Sequence, residues 1–248
     1  MNKSPLKIYS RIIAKIKQLF IPITTVNLPS FKPNICKFLQ SKAEVDEATA
    51  FLHSYGFFSH PTDAKNWDLA HIIPEIGDGN ILDMGGCNSI ILKNVALRKI
   101  RGQFYEIDLQ GTEHPIKGIK HIVGDLMDTK LPDKFFKSIT CISVTEHGVD
   151  FAKFAHEVAR LLEDKGKLFV SFDYWNPKII SPIKLFGLDW QPLDEEAVKT
   201  LIAECEKEGL YLIEDMDYKT DEKVICDGYH SPHPAMSYTF GLAVFEKR

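Results

Sequence analysis

Apolar and polar positions alternate between two periods along this chain. Five short runs, "NILDM", "GQFYEID", "KHIVGD", "SITCISV" and "KLFVSFD", are dense in apolar residues and read as buried strands. Helix-spaced stretches lie between most of them. The clearest runs from Asp150 to Lys165, with Phe151, Phe154, Ala155, Val158, Leu161 and Leu162 on one face. Asp150 is its expected N-cap and Gly166 its expected stop. A second helix is predicted from Asp194 to Gly209, with Val198, Leu201, Ile202 and Cys205 on its apolar face. Upstream, "EVDEATAFLHSYG" predicts a helix ended by Gly56, and "HPTDAKNWDLAHIIPEIGDGN" a turn, a helix and a loop. Strand and helix in alternation predict a parallel sheet covered on both faces. The chain closes differently. "LYLIEDMDY" and "SYTFGLAVFEK" are two strands without a helix between them, which predicts a hairpin at the sheet edge.

Composition bounds this picture. The chain has 248 residues, 44% hydrophobic and 26% charged, which suits one α/β domain with short additions. No apolar run reaches the roughly 18 residues of a spanning helix. The net charge of −4 hides an asymmetry: residues 1–43 hold eight Lys or Arg and no acid, and the remainder nets −12. Five scattered cysteines without a C-x-x-C pair argue against zinc and against a disulfide framework, and predict a reducing, cytoplasmic setting.

The basic arm contains "SPLKIYSRIIAKIKQLF", with Leu6, Tyr9, Ile13, Ile16 and Phe20 at helical spacing. Residues 4–20 therefore suit either an anionic membrane surface or packing on the acidic body. A transit peptide fits less well, because lysine dominates and serine is sparse. A secretory signal is disfavoured, because lysines interrupt the apolar run. Residues 21–43, with Pro22, Pro29 and Pro33, read as a linker. The expected division is an arm and linker over 1–43 and a domain over 44–248.

In an open parallel sheet, ligands bind at the carboxyl ends of the strands. The residues there are Asp83 to Ser89, Asp108, Asp125, Glu146–His147 and Asp173–Tyr174–Trp175. Carboxylates recur, and the first turn lacks Lys and Arg, the reverse of what a phosphate needs. A P-loop ending is absent. A ligand with hydroxyls, an amine and a positive charge suits these groups.

In order and spacing, the stretch from Asn80 to Phe172 resembles the class I S-adenosylmethionine-dependent methyltransferases. Asp83-Met84-Gly85-Gly86-Cys87-Asn88-Ser89 stands where that family has an acid followed by spaced glycines. Asp108 in "FYEIDL" matches the acid that holds the ribose hydroxyls, and Gly124-Asp125 in "HIVGDLMD" matches the adenine contact. "LPDKFFKSITCISVTEH" and "FAKFAHEVARLLEDKGKLFVSF" follow in register, with Glu157 and Arg160 in their family places. The resemblance implies S-adenosylmethionine as cofactor, held by Asp83, Gly85, Gly86, Asp108, Leu109, Asp125, Leu126 and Glu146. It also implies a Rossmann-like doubly wound α/β sheet in three layers, mostly parallel with an antiparallel last strand. Two departures stand out: Cys87 and Ser89 replace family glycines, and Lys137 stands where the family has Asp. A nicotinamide dinucleotide is the alternative, since Asp108 follows Gly85 at nearly the right interval, but G-x-G-x-x-G is missing.

Histidines supply the candidate bases. His147 follows the fourth strand, where the family's Glu-His pair more often orders the loop and lines the cofactor pocket. His230 and His233 lie in "KVICDGYHSPHPAMS", a loop expected at the same sheet end. "NPKIISPIKLFGLDW" reads as an acceptor wall or as plain core through Trp175, Phe186 and Trp190. "FSHPTDAKNWD" is expected over the cofactor's methionine end through Lys65 or Trp67. Cys87 reads as a small packing residue. An acidic body without a basic aromatic stripe disfavours nucleic acid. The "FDYW…DW" arrangement is similar to bacterial methyltransferases of sugar or surface-polysaccharide pathways. The expected activity is therefore methylation of a small molecule or glycan, at a hydroxyl. The competing class is a binding module without catalysis, motivated by the missing glycines.

Overall fold

The computed structural model describes residues 28–112, 115–226, 229–233 and 236–248. The amphipathic stretch at 4–20 lies outside the described residues.

In chain order the elements are β1 (Lys37–Phe38), α1 (Lys42–Ser54), a 3-10 turn (Asp63–Lys65), α2 (Asn66–Glu75), β2 (Ile81–Met84), α3 (Ile90–Leu97), β3 (Phe104–Asp108), β4 (Ile119–Val123), β5 (Phe136–Ile142), α4 (Phe151–Leu161), β6 (Leu162–Tyr174), a small hairpin of β7 (Lys184–Leu185) and β8 (Leu188–Asp189), α5 (Glu195–Lys207), β9 (Leu210–Leu212) and β10 (Thr239–Lys247). The sheet order is β1-β10-β6-β5-β2-β3-β4, and β9 also pairs with β10. β4, β3, β2, β5 and β6 are mutually parallel, whereas β10 runs antiparallel to β6 and is fully paired along it from Thr239 to Glu246. Strand order reverses between β2 and β5, because the chain first steps out through β3 and β4 and then returns. A cleft opens at such a reversal, at the carboxyl ends of the strands.

Each layer follows from the sequence pattern. Helices α1, α2 and α3 cover one face through Val45, Leu52, Trp67, Ile72 and Leu92. Helices α4 and α5 cover the other through Phe154, Val158, Val198 and Leu201. Side-chain caps start the helices: Asp150 accepts from Ala152 and Lys153, Asp194 from Ala197, and Ser41 from Glu44. No helix among the described residues is long and apolar enough to cross a membrane.

Two expectations require correction. The helix expected to reach Lys165 stops at Leu161, and Leu162 already pairs with Phe136. The β6 register slips by several residues between Leu162 and Lys167, so Glu163 to Gly166 form a bulge. Helical periodicity continued into it because a bulge also returns the chain to the same face. The linker expected over 21–43 is core at its end. Ile35, Cys36, Phe38 and Leu39 are buried, and Lys37–Phe38 pairs with Leu242 and Gly241. A two-residue strand against a distant partner leaves no local periodicity to read.

Candidate active site

The turn after β2 is built around one buried carboxylate. Asp83 Oδ1 accepts from the Thr140 hydroxyl at 2.6 Å, which fixes its side chain under the turn. Gly85 has φ +75°, and a Cβ there would come within 2.3 Å of Val144 Cγ2. A Cβ on Gly86 would come within 2.3 Å of Asp83 Oδ2. Both glycines are thus required by the packing of the turn against Val144 and Asp83. Burial pushes the Asp83 carboxyl up to about 6, against the Ser89 and Thr140 hydroxyls that favour its charge. Ser89 caps α3 by accepting from Leu92, and its own amide donates to Glu106 Oε2 at 2.9 Å. Cys87 is exposed, so it is not the packing residue expected.

Across the next two strand ends the backbone continues this wall. Gly85 N–H donates to Ile107 O at 2.7 Å, and Gly124 N–H to Asp108 O at 2.9 Å. Asp108 and Asp125 are each oriented by a short turn in which Oδ1 accepts the amide two residues on, from Gln110 and from Met127. Leu109 and Val123 stand beside them, 59% and 63% exposed. Two oriented carboxylates flanked by bare aliphatic side chains fit a nucleoside, with hydroxyls and an amine to bond and a flat base to cover.

On the other side of the reversal, three carboxylates gather around one lysine. Lys65, ending the 3-10 turn, places Nζ 3.8 Å from Asp173 Oδ1 and 4.0 Å from Asp68 Oδ2. It also lies 3.8 Å from the Phe240 ring centroid and donates to Ser143 Oγ. Asp68 is fully buried, and burial pushes it up to about 7, with Lys65 and Ser171 opposing and Asp173 adding to the rise. Glu146 is raised by burial and then by Asp173, with Lys65 opposing. Asp173 Oδ2 accepts from Trp190 Nε1 at 2.8 Å, and Glu146 Oε1 from the Asp173 amide at 3.3 Å. Ser143 has φ +52°, a strained setting for a serine directly after β5.

Of the candidate bases, His147 reaches this cluster. Its amide donates to Val144 O at 3.0 Å, in the same turn that seats Gly85. The ring is half-buried, its Nδ1 is buried without a hydrogen-bond partner, and Phe186 meets it edge-on at 6.1 Å. Burial lowers its pKa, Asp173 opposes and Lys65 adds to the fall, so the imidazole is neutral at neutral pH. His230 bonds to Asp63 in the 3-10 turn, which puts it at the rim. His233 is exposed. Trp67 is buried and donates to Glu44, so of the two residues expected over the site only Lys65 faces it.

Residues 82–170 match the family model of a methyltransferase domain. Over that stretch, about a third of its length, the chain carries a methyltransferase domain. Solved structures agree with this fold. An S-adenosylmethionine-dependent methyltransferase from Mesorhizobium loti superposes with TM-score 0.51 at 16% identity, over 74% of this chain and 98% of that one. The geranyl diphosphate C-methyltransferase of Streptomyces coelicolor gives 0.54 at 14%, over the whole of both chains. A phosphoethanolamine N-methyltransferase of Haemonchus contortus gives 0.51 at 14%, over 82% and 57%. No curated protein matches the chain. The dinucleotide alternative falls with the family match.

Two parts of this methyltransferase site escaped sequence reasoning. Glu106 is an acid inside an apolar strand; it is wholly buried and holds both Ser89 N–H and His121 Nδ1. A charge inside a strand buried on both faces was the available signal. Asp68 gave a weaker one, because a polar residue in an amphipathic helix reads as solvent-facing.

Proposed function

We propose that this methyltransferase acts on a hydroxyl of a small-molecule acceptor, with sugars and glycan units the first class to test. S-adenosylmethionine, when bound, supplies an electrophilic methyl group on a sulfonium. Asp108 would hold its ribose hydroxyls, Leu109, Val123 and Leu126 its base, and Asp125 the base's amine. The Asp83–Gly85–Gly86 turn and Glu146 would border its amino-acid end. What remains for the chain is to orient the acceptor, exclude water and take one proton.

The observation that carries the reading is His147 Nδ1: buried, unpartnered, and on an imidazole that burial keeps neutral. Such a nitrogen can accept the proton that an acceptor hydroxyl gives up. His230 and His233 are the rim alternatives. The named acceptors of the solved relatives, geranyl diphosphate at carbon and phosphoethanolamine at nitrogen, belong to those proteins and set the competing outcomes.

The test has two steps. Calorimetry with S-adenosylmethionine and S-adenosylhomocysteine reads cofactor binding, expected in the micromolar range. Mass spectrometry of an acceptor screen then reads the methylated atom. Cofactor binding without turnover on any acceptor favours the non-catalytic module, and an N- or C-methylated product overturns the hydroxyl assignment. His147→Asn should keep homocysteine-analogue binding and lose turnover; equal loss of both makes His147 a pocket-lining residue instead.

We also assign the basic segment at 4–20 to peripheral contact with an anionic membrane surface on the cytoplasmic side. Its support is the lysine-rich amphipathic pattern. Since Ile35 onward is core, the deletion that tests it should end at residue 27. Unchanged co-sedimentation with anionic liposomes would remove the assignment.

A further inference from the structure

We propose that Asp68, Glu146 and Asp173 form a subsite for an ammonium group carried by the acceptor, and that the Lys65 side chain stoppers it. The proposal deepens the methyltransferase reading and rests on it, because it places the acceptor over the ends of β5 and β6.

Three buried carboxylates face one cation, and among the described residues Lys65 is the only basic side chain within 4.0 Å of any of them. Buried carboxylates need a countercharge or a proton; with one lysine among three, Asp68 and Glu146 are raised toward the protonated form, which a second cation would reverse.

Asp68 Oδ1 and Oδ2, Asp173 Oδ1 and Glu146 Oε2 are buried and make no hydrogen bond of normal geometry, with the Ser171 hydroxyl beside Asp68 and the Tyr238 hydroxyl beside Asp173. Lys65 has three donors. It spends one on Ser143 and stays 3.8–4.0 Å from the two aspartates, beyond a direct bond. The lysine therefore leaves these carboxylate oxygens without a direct bond. The wall of this cage also carries the Phe240 ring under the Lys65 ammonium, an arrangement that favours an organic cation. Tyr238 and Trp190 continue that aromatic wall, with centroids 6.2 Å from Phe240 to Tyr238 and 5.3 Å from Tyr238 to Trp190. The described carboxylates do not converge in a metal-holding arrangement.

Lys65 belongs to a three-residue 3-10 turn, and its side chain is 16% exposed. Asp63 of the same turn is tied to His230 by a rim contact. Swinging one flexible lysine outward opens the cage without moving a strand or a helix. The acceptor's ammonium would then replace the lysine's, like for like, and its hydroxyl would lie toward His147.

The test compares matched cations and neutral molecules. Wild-type protein saturated with S-adenosylhomocysteine is titrated with glucosamine against glucose, and with ethanolamine against ethylene glycol. The expected result is at least tenfold tighter binding of each amine, with the preference lost in Asp68→Asn and in Asp173→Asn. Separately, Lys65→Met empties the cage of its cation. n-Butylammonium should then raise the melting temperature of the variant more than that of the wild type, while 1-butanol should raise neither. Equal binding of amines and neutral partners by the wild type overturns the subsite, whether or not Lys65→Met folds. Failure to bind the homocysteine analogue overturns the cofactor reading instead, and the n-butylammonium rescue still reads the cage on its own.

Discussion

The Ser89 amide donates to the Glu106 carboxylate at 2.9 Å, so the turn that opens the site is tied to the neighbouring strand. Glu106 also accepts from His121 Nδ1 at 3.0 Å. Removing it in Glu106→Ala leaves a buried N–H without a partner. The expected cost is about 1–3 kcal/mol, read as a lower urea midpoint. Binding of S-adenosylhomocysteine should weaken as the turn loosens. An unchanged midpoint would show that water replaces the carboxylate.

Asp108→Ala should separate binding from stability. The carboxylate's bond is local, to the Gln110 amide, and the residue is only partly buried. Stability should change by no more than about 0.5 kcal/mol. Affinity for S-adenosylhomocysteine should fall at least tenfold in calorimetry. Unaltered affinity would move the ribose site elsewhere.

Gly86→Ala places a methyl group 2.3 Å from Asp83 Oδ2. Either the turn lifts or Asp83 leaves Thr140, at a cost of about 1–3 kcal/mol. Gly77→Ala is the control, since nothing lies within 4 Å of a Cβ there. It should be neutral or slightly stabilising. Similar melting temperatures for the two variants would contradict the crowding described.

Asp68→Asn should change how stability depends on pH. The folded carboxyl is raised from 3.8 to about 7, so folding favours its protonated form. The stability it contributes is complete below about 4 and is lost as pH rises through about 7. His71 is lowered to about 3 by burial and acts in the opposite sense, gaining stability as pH rises from about 3 to 6.5. It is present in both proteins and cancels in the difference. The variant should match the wild type near pH 4 and exceed it by a few kcal/mol near pH 8. A difference that does not vary with pH would rule out a raised Asp68.

Phe186→Asn should stabilise the fold. Phe186 and Gly187 sit between β7 and β8 with φ +56° and +83°, the backbone of a tight hairpin turn that favours Asn-Gly. The phenylalanine is 81% exposed, so little packing is lost. A gain of about 0.5–1 kcal/mol is expected in thermal denaturation. A loss would mean that the edge contact with His147 matters more than the backbone strain.

By itself the sequence determined the layers and the nucleoside side of the site. Apolar runs of five to seven residues separated by helical faces force a parallel sheet, and a parallel sheet puts its strand ends at one rim. Asp83, Asp108 and Asp125 were legible because each ends such a run, where a charge can reach solvent or a ligand. Tertiary structure decided the rest. Lys37–Phe38 became a strand only through a partner some 200 residues away, and the 162–166 bulge only through β5. The acid cluster joins Asp68 from α2, Glu146 from the turn after β5 and Asp173 from β6. Glu146 and Asp173 were legible as acids at strand ends, but Asp68 reads as an ordinary surface acid. Their chemistry comes from burial beside one another, and burial is a property of the packed molecule that no local pattern carries.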